Sequence, residues 1–246
     1  MLMSIFYITS NFVRKSLCIT CLSIFVLCAV VQTSHSKTLE DPSAQSISEI
    51  KTRANEGSAS HQYYLGTLYD YGFSNEVPTN TTKAAYWYDK AANQGYWKAQ
   101  FALGGLYFTG DGVPQDNELG LSIFKKLADQ GYAQVQFGLG YRYLEGHGVS
   151  QDIVEGVELM RKAAEGWHTG AQYRLSQMYK NGQNVEQNNI LAYKWLSIAS
   201  EGGLEIAEQD LSELNKVITD KEKEEASRLV ESWMVNHPKV ILDLLP

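Results

Sequence analysis

Residues 99–116 read AQFALGGLYFTGDGVPQD, and this stretch decides the fold because it returns. It reappears 36 residues later as VQFGLGYRYLEGHGVSQD (135–152), and after a further 36 as AQYRLSQMYKNGQNVEQN (171–188). Leu103-Gly104 becomes Leu139-Gly140 and then Leu175-Ser176. Tyr107, Tyr143 and Tyr179 keep the step, as do Gly110, Gly146 and Gly182, and Val113, Val149 and Val185. Backwards along the chain, Leu65-Gly66, Tyr69 and Gly72 form a fourth copy displaced by 38 residues, yet Asn80 stands 36 before Asp116. Two residues are therefore inserted between Gly72 and Asn80. An insertion that leaves both flanks in register belongs in a loop. Self-similarity at such a period marks stacked units that bury one another's apolar faces.

Each unit reads as two helices. Ala99, Leu103, Leu106 and Tyr107 fall at i, i+4, i+7 and i+8, one face of a 3.6-residue helix. Gly104 lies beside that face, where a missing side chain admits a close neighbour, and Gly110 ends the helix. Asp116 opens the second helix as its N-cap; Asn80, Asp152 and Asn188 hold the same place, all residues whose side chains satisfy a free backbone N–H. The second helix carries Trp87, Ile123, Leu159 and Trp195 at one site and Ala91, Leu127, Ala163 and Ala199 four residues on, ending near Gly95, Gly131, Gly166 and Gly202. The spacing predicts an all-α chain: an amino-terminal cap over 37–57, repeats over 58–95, 96–131, 132–167 and 168–203, and carboxy-terminal capping helices with a tail over 204–246. In the caps, Ile47, Ile50, Ala54 and Gly57 echo a second helix behind Ser46 and Glu49 at capping-box spacing. Ile206, Ala207, Leu211 and Leu214 echo a first helix. Thr219 and Glu222 open a last one with Ala226, Leu229, Val230 and Trp233 on its apolar face. The apolar tail from Val240 to Leu245 is expected to fold back over that helix, with a short docking segment as the alternative.

Residues 1–36 read differently. Arg14 and Lys15 precede an uncharged run from Leu17 to Val31 and the small residues Ser34 and Ser36. A positive flank, a short apolar core and a small-x-small site make an export signal, and a run of 15 residues falls short of the ~20 that a spanning helix needs. Cleavage is expected over retention as an anchor, which would leave membrane contact only to an uncleaved signal segment. The mature chain is then periplasmic or extracellular. Losing Arg14 and Lys15 leaves 19 basic residues against 28 acidic ones, a formal charge of −9 in place of −7. So acidic a chain repels phosphate backbones, which argues against nucleic acid. All three cysteines (Cys18, Cys21 and Cys28) lie in the signal, so no disulfide or thiolate ligand is expected in the mature protein.

Catalytic chemistry finds no foothold. His35, His61, His147, His168 and His237 include no pair at helical metal-binding spacing. No phosphate-binding loop or nucleophile elbow is present. The Gly138-Leu139-Gly140 string lies inside a helix with no strand before it. The mixed-charge run Lys221 to Glu225 reads as a solvated helix start, and Asn80-Thr81-Thr82, a glycosylation sequon in form, is accounted for by the N-cap role of Asn80. No catalytic, cofactor-binding or metal-binding residue is expected.

The pattern resembles the Sel-1-like repeat family, a longer relative of the tetratricopeptide repeat. The residues that carry the resemblance are Ala99-Gln100, Leu103-Gly104, Tyr107, Gly110, Gly112-Val113 and the runs Lys90-Ala91-Ala92 and Lys162-Ala163-Ala164. It covers roughly residues 45 to 235, with Ser176, Asn184 and Gly166 as departures. The resemblance implies a right-handed α/α superhelical solenoid of about four helix-turn-helix repeats, with first helices lining the concave side. It also implies an adaptor that binds a protein or peptide and brings no catalytic residue set of its own. A cell-wall or β-lactam hydrolase and a structural spacer are the alternatives.

A partner would lie along the first helices. Tyr63, Phe101, Phe137 and Tyr173 repeat so regularly that packing against the neighbouring repeat is their expected role, ahead of partner binding. The large residues that vary between copies, Tyr64, Tyr71, Phe108, Tyr141 and Leu144, are the candidate partner-binding residues, because an exposed apolar or aromatic stripe favours a partner.

Overall fold

The computed structural model describes residues 42–238 and divides the chain into two units. Of the first, residues 1–44 with 245–246, only a short 3-10 turn at Pro42–Ala44 is described. The second, Gln45–Leu244, carries the repeats. The export signal over 1–36 and the tail after Pro238 lie outside the described residues.

Helix α1 (Ile47–Asn55) is followed by four hairpins: α2 (Ala59–Tyr71) with α3 (Thr81–Ala92), α4 (Trp97–Thr109) with α5 (Asn117–Asp129), α6 (Ala133–Glu145) with α7 (Ile153–Glu165), and α8 (Thr169–Asn181) with α9 (Asn189–Glu201). Then come α10 (Glu205–Leu214) and α11 (Asp220–Asn236). Among the described residues there is no strand, only an isolated bridge between Ser74 and Val77. That bridge closes the two-residue insertion into the α2–α3 loop, where the register argument puts it. The unit is an α/α solenoid.

Each hairpin is tied by the same bonds. The side chains of Asn80, Asp116, Asp152 and Asn188 accept from the backbone N–H three residues on, at 2.9, 2.9, 3.0 and 2.9 Å. Their own N–H groups donate to the carbonyls of Tyr69, Tyr107, Tyr143 and Tyr179, which draws the loop shut. A further ladder links each unit to the one before it. The amides of Gln62, Gln100, Gln136 and Gln172 donate to the carbonyls of Ala54, Ala92, Ala128 and Ala164 at 3.0 to 3.1 Å. Those carbonyls lie at the ends of α1, α3, α5 and α7, where no intrahelical donor remains.

Leu65, Leu103, Leu139 and Leu175 are buried in register, each stabilising the core by about 1.5–3 kcal/mol. The small residue after them makes room for the second helix in two ways. A Cβ on Gly66 or Gly104 would strike the ring of Tyr88 or Phe124 at 2.6 or 2.8 Å; on Gly140 it would meet the carbonyl oxygen of Gly156 at 3.0 Å. Close backbone approach is thus the reason for the glycine in the third repeat, and a bulky ring in the first two. Ser176 occurs where the facing residue is the smaller Leu196.

The second helices end near Gly95, Gly131, Gly166 and Gly202, as the spacing predicts. The left-handed residue of the following turn falls at Gly95, Gly131, Trp167 and Gly203. Trp167 has φ 64°, a conformation that costs an L-residue about 1–2 kcal/mol. It is held by packing. The Trp167 ring lies 4.7 Å from that of Trp233 on α11, and its indole N–H donates to the His237 carbonyl at 3.0 Å. Trp195 meets Trp233 edge-on at 5.8 Å, and His237 stacks on it at 4.7 Å. Ala226 and Trp233 form the buried side of α11, which begins with a full Thr219–Glu222 capping box; Leu229 and Ile206, expected on apolar faces, are exposed.

Candidate functional site

Helices α2, α4 and α6 line a groove of about 630 Å³. Missing side chains make it. Ala102 and Gly138 stand where the outer repeats carry Tyr64 and Arg174, and Gly105 stands where they carry Thr67 and Gln177. A Cβ at Gly105 would find no atom within 4 Å. The walls are aromatic: Tyr63 packs on Tyr96 at 5.3 Å and Phe101 stacks on Phe124 at 4.9 Å. These regular aromatics are therefore fixed by neighbouring helices, as their periodicity suggests. Burial pushes the Tyr63 phenol above its usual range, and that of Tyr88 still further, where the hydroxyl donates to Asp70 at 3.2 Å. Both stay protonated hydrogen-bonding groups.

The five candidate residues separate. Tyr71 and Tyr141 line the groove, 80% and 42% exposed. Tyr64 is half-buried and packs against the amino-terminal cluster of Ile50, Leu65 and Val77, outside the groove. Phe108 and Leu144 are core residues, 5% and 2% exposed, which corrects their assignment to a surface stripe. Each sits over a glycine of the second helix. A Cβ on Gly120 would meet the Gly104 carbonyl oxygen at 2.9 Å and the Phe108 ring at 3.0 Å, and one on Gly156 would meet Leu144 Cγ at 2.8 Å. The first and fourth repeats have Ala84 and Ala192 at the glycine position and Asp70 and Lys180 opposite. A large apolar side chain is thus matched to a glycine, in the second and third copies, and the repeat framework does require both.

Arg142 was absent from the candidates. Its guanidinium carbon lies 3.7 Å above the Phe108 ring and 5.6 Å from that of Phe124, and Nη1 donates to the His147 carbonyl at 3.0 Å. Burial lowers its pKa from the usual guanidinium value, the mark of a charge partly stripped of water. Among the described residues no carboxylate pairs with it. Lys98, Asp70, Asp111 and His147 complete the charged and titratable lining.

The described histidines have local roles. His61 bonds to Ser58 and Gln45. His168 caps α8 by accepting from Ala171 N–H through Nδ1, with Nε2 on Gln134; burial holds its pKa below the usual value. His147 is an exposed loop residue. Among the described residues no group of three or more His, Cys, Asp or Glu side chains is placed to hold a metal ion, and no helix is long and apolar enough to cross a membrane.

A family model described as Sel1 repeat matches residues 61–96, 97–132, 133–166 and 169–204. Among solved structures the chain is similar to a protective antigen present in uropathogenic Escherichia coli strains, displaying an SLR fold. The TM-score is 0.64 at 32% identity, over 76% of this chain and 40% of that one. It is also similar to a Sel1 repeat protein from Oxalobacter formigenes, with TM-score 0.55 and 32% identity over 67% of this chain and 48% of that one. The chain thus spans less than half the length of either. No curated protein matches it.

Proposed function

The chain belongs to the Sel1 repeat family, and from that premise we propose that it is an exported scaffold that binds a partner protein or peptide in the groove of its first three repeats. Sel1 repeats are in general protein-interaction scaffolds. The observation that carries the reading is the groove itself, with Tyr71 and Tyr141 turned to solvent on its lining. Water-exposed aromatic surface of this kind is stabilised when a partner covers it. Export, to the periplasm or beyond the cell, is supported by the pattern of residues 1–36. No observation among the described residues favours the hydrolase alternative.

The test replaces Tyr71 and Tyr141 together by alanine and compares partner capture from the envelope and culture medium of the producing cell. Capture is expected to fall while the helical circular-dichroism spectrum stays unchanged; unchanged capture removes the groove from consideration. Amino-terminal sequencing of the mature protein tests export, a start just after Ser36 being the expected result and an intact Met1 the contrary one.

A further inference from the structure

Position 142 breaks the repeat. Its counterparts are Leu68, Leu106 and Met178, all buried. The other three copies fill this place with an apolar side chain, so packing alone does not call for a charge here. The guanidinium nonetheless lies over the Phe108 ring and is held by the His147 carbonyl, which uses one of its five N–H donors. Of the acids on the groove, Asp70 already accepts from the Tyr88 hydroxyl, and neither it nor the exposed Asp111 pairs with Arg142. The open space at Gly105 and the ring of Tyr141 lie on the same groove.

We infer that Arg142 anchors a carboxylate carried by an extended peptide of the partner, whose neighbouring apolar side chain lies against Tyr141. Planar guanidinium and carboxylate groups match through paired hydrogen bonds, which are strongest where water is scarce. The chain is acidic as a whole, with 28 acidic against 21 basic residues. Long-range attraction therefore does not favour a uniformly acidic partner. The fitting ligand is one carboxylate among apolar residues, a side-chain Asp or Glu or the chain terminus. The inference rests on the groove being the docking site.

Two substitutions separate the claims, each importing a residue that this protein uses at the equivalent place in another repeat. Arg142→Leu copies Leu106 and removes the charge; Gly105→Tyr copies Tyr141 and fills the groove. Random fifteen-residue peptides are selected against the purified protein in two display formats, one with free and one with blocked carboxy termini. Selected peptides are expected to share one carboxylate beside an apolar residue, and to bind Arg142→Leu at least about ten-fold more weakly, as loss of a charged hydrogen bond implies. They are expected to lose binding to Gly105→Tyr. Binders from both formats identify a side-chain carboxylate; binders from the free format alone identify the terminus. Equal binding to Arg142→Leu with loss at Gly105→Tyr overturns the carboxylate inference and leaves the groove standing. Equal binding to both variants overturns the groove as well. Failure to select any peptide overturns the inference. So does self-association by sedimentation that Gly105→Tyr abolishes, because the occupant is then a second copy.

Discussion

Leucine 144 and glycine 156 offer a sharp test of how the hairpins close. Leu144 is 2% exposed, and a Cβ on Gly156 would come within 2.8 Å of its Cγ, 2.9 Å of Cδ2 and 3.0 Å of its backbone nitrogen. Leu144→Ala, with only partial collapse around the gap, is expected to cost about 3 kcal/mol. Gly156→Ala places a better helix former in α7, a gain of about 1 kcal/mol, but the collision costs about 2 kcal/mol. The net is a loss of about 1 kcal/mol. In the double variant the side-chain part of the collision is relieved, while the tight approach to the residue 144 backbone nitrogen and the propensity gain both remain, so the expected loss is about 3 kcal/mol where simple additivity gives about 4 kcal/mol. The coupling is then about 1 kcal/mol in favour of the pair. Urea unfolding followed by ellipticity at 222 nm measures all four proteins. Simple additivity, or a Gly156→Ala protein more stable than its parent, would refute the size-matching account of the hairpin.

Other perturbations probe the caps and the clasp at the carboxy end. Trp167→Gly relieves about 1 kcal/mol of backbone strain but loses about 3 kcal/mol of aromatic packing; a net loss near 2 kcal/mol is expected, with hydrogen-exchange protection falling across residues 220–236. A gain in stability would show that the strain is not balanced by the clasp. Asp152→Ala should cost about 1 kcal/mol and Asp152→Asn only a few tenths, since Asn80 and Asn188 cap the same way; equal losses in urea unfolding would contradict the capping role. His168 has a lowered pKa in the fold because burial disfavours its charged form. The unfolded chain therefore binds the proton more readily, and the stabilisation, full above the unfolded pKa, is lost as pH falls toward the folded one. The melting temperature should drop between pH 7.5 and pH 5.5, and His168→Asn should narrow that drop; an unchanged difference would assign it elsewhere.

The elements were legible because each signal is written four times. Leu-Gly, the tyrosine, the glycine stop and the Asn or Asp cap recur at positions whose roles depend on neighbours inside the same hairpin, none further than Tyr88 is from Gly66, which a sequence displays directly. Exposure was harder to read. On a helical wheel Phe108 lies half a turn from Ala99, yet both are buried, because a first helix in a solenoid is covered by more than one neighbour. The wheel of a single helix cannot show that second contact. The trace it left was indirect: Gly120 and Gly156 occur in the two copies with a large residue opposite, where the other copies have alanine. Arg142 left a similar trace by standing in a column of leucine and methionine. An apolar or aromatic stripe does not include a guanidinium.

The Trp167 indole donates to a carbonyl 70 residues further along the chain, whereas the glutamine ladder reaches back only eight. One end of the molecule is therefore buttoned across its whole last repeat, and the other is zipped one tooth at a time. Under tension or mild denaturant the array is therefore expected to fray first at α1, whose release breaks a single rung of that ladder. The last repeat is expected to hold longer, because it cannot peel away until the three tryptophans part together.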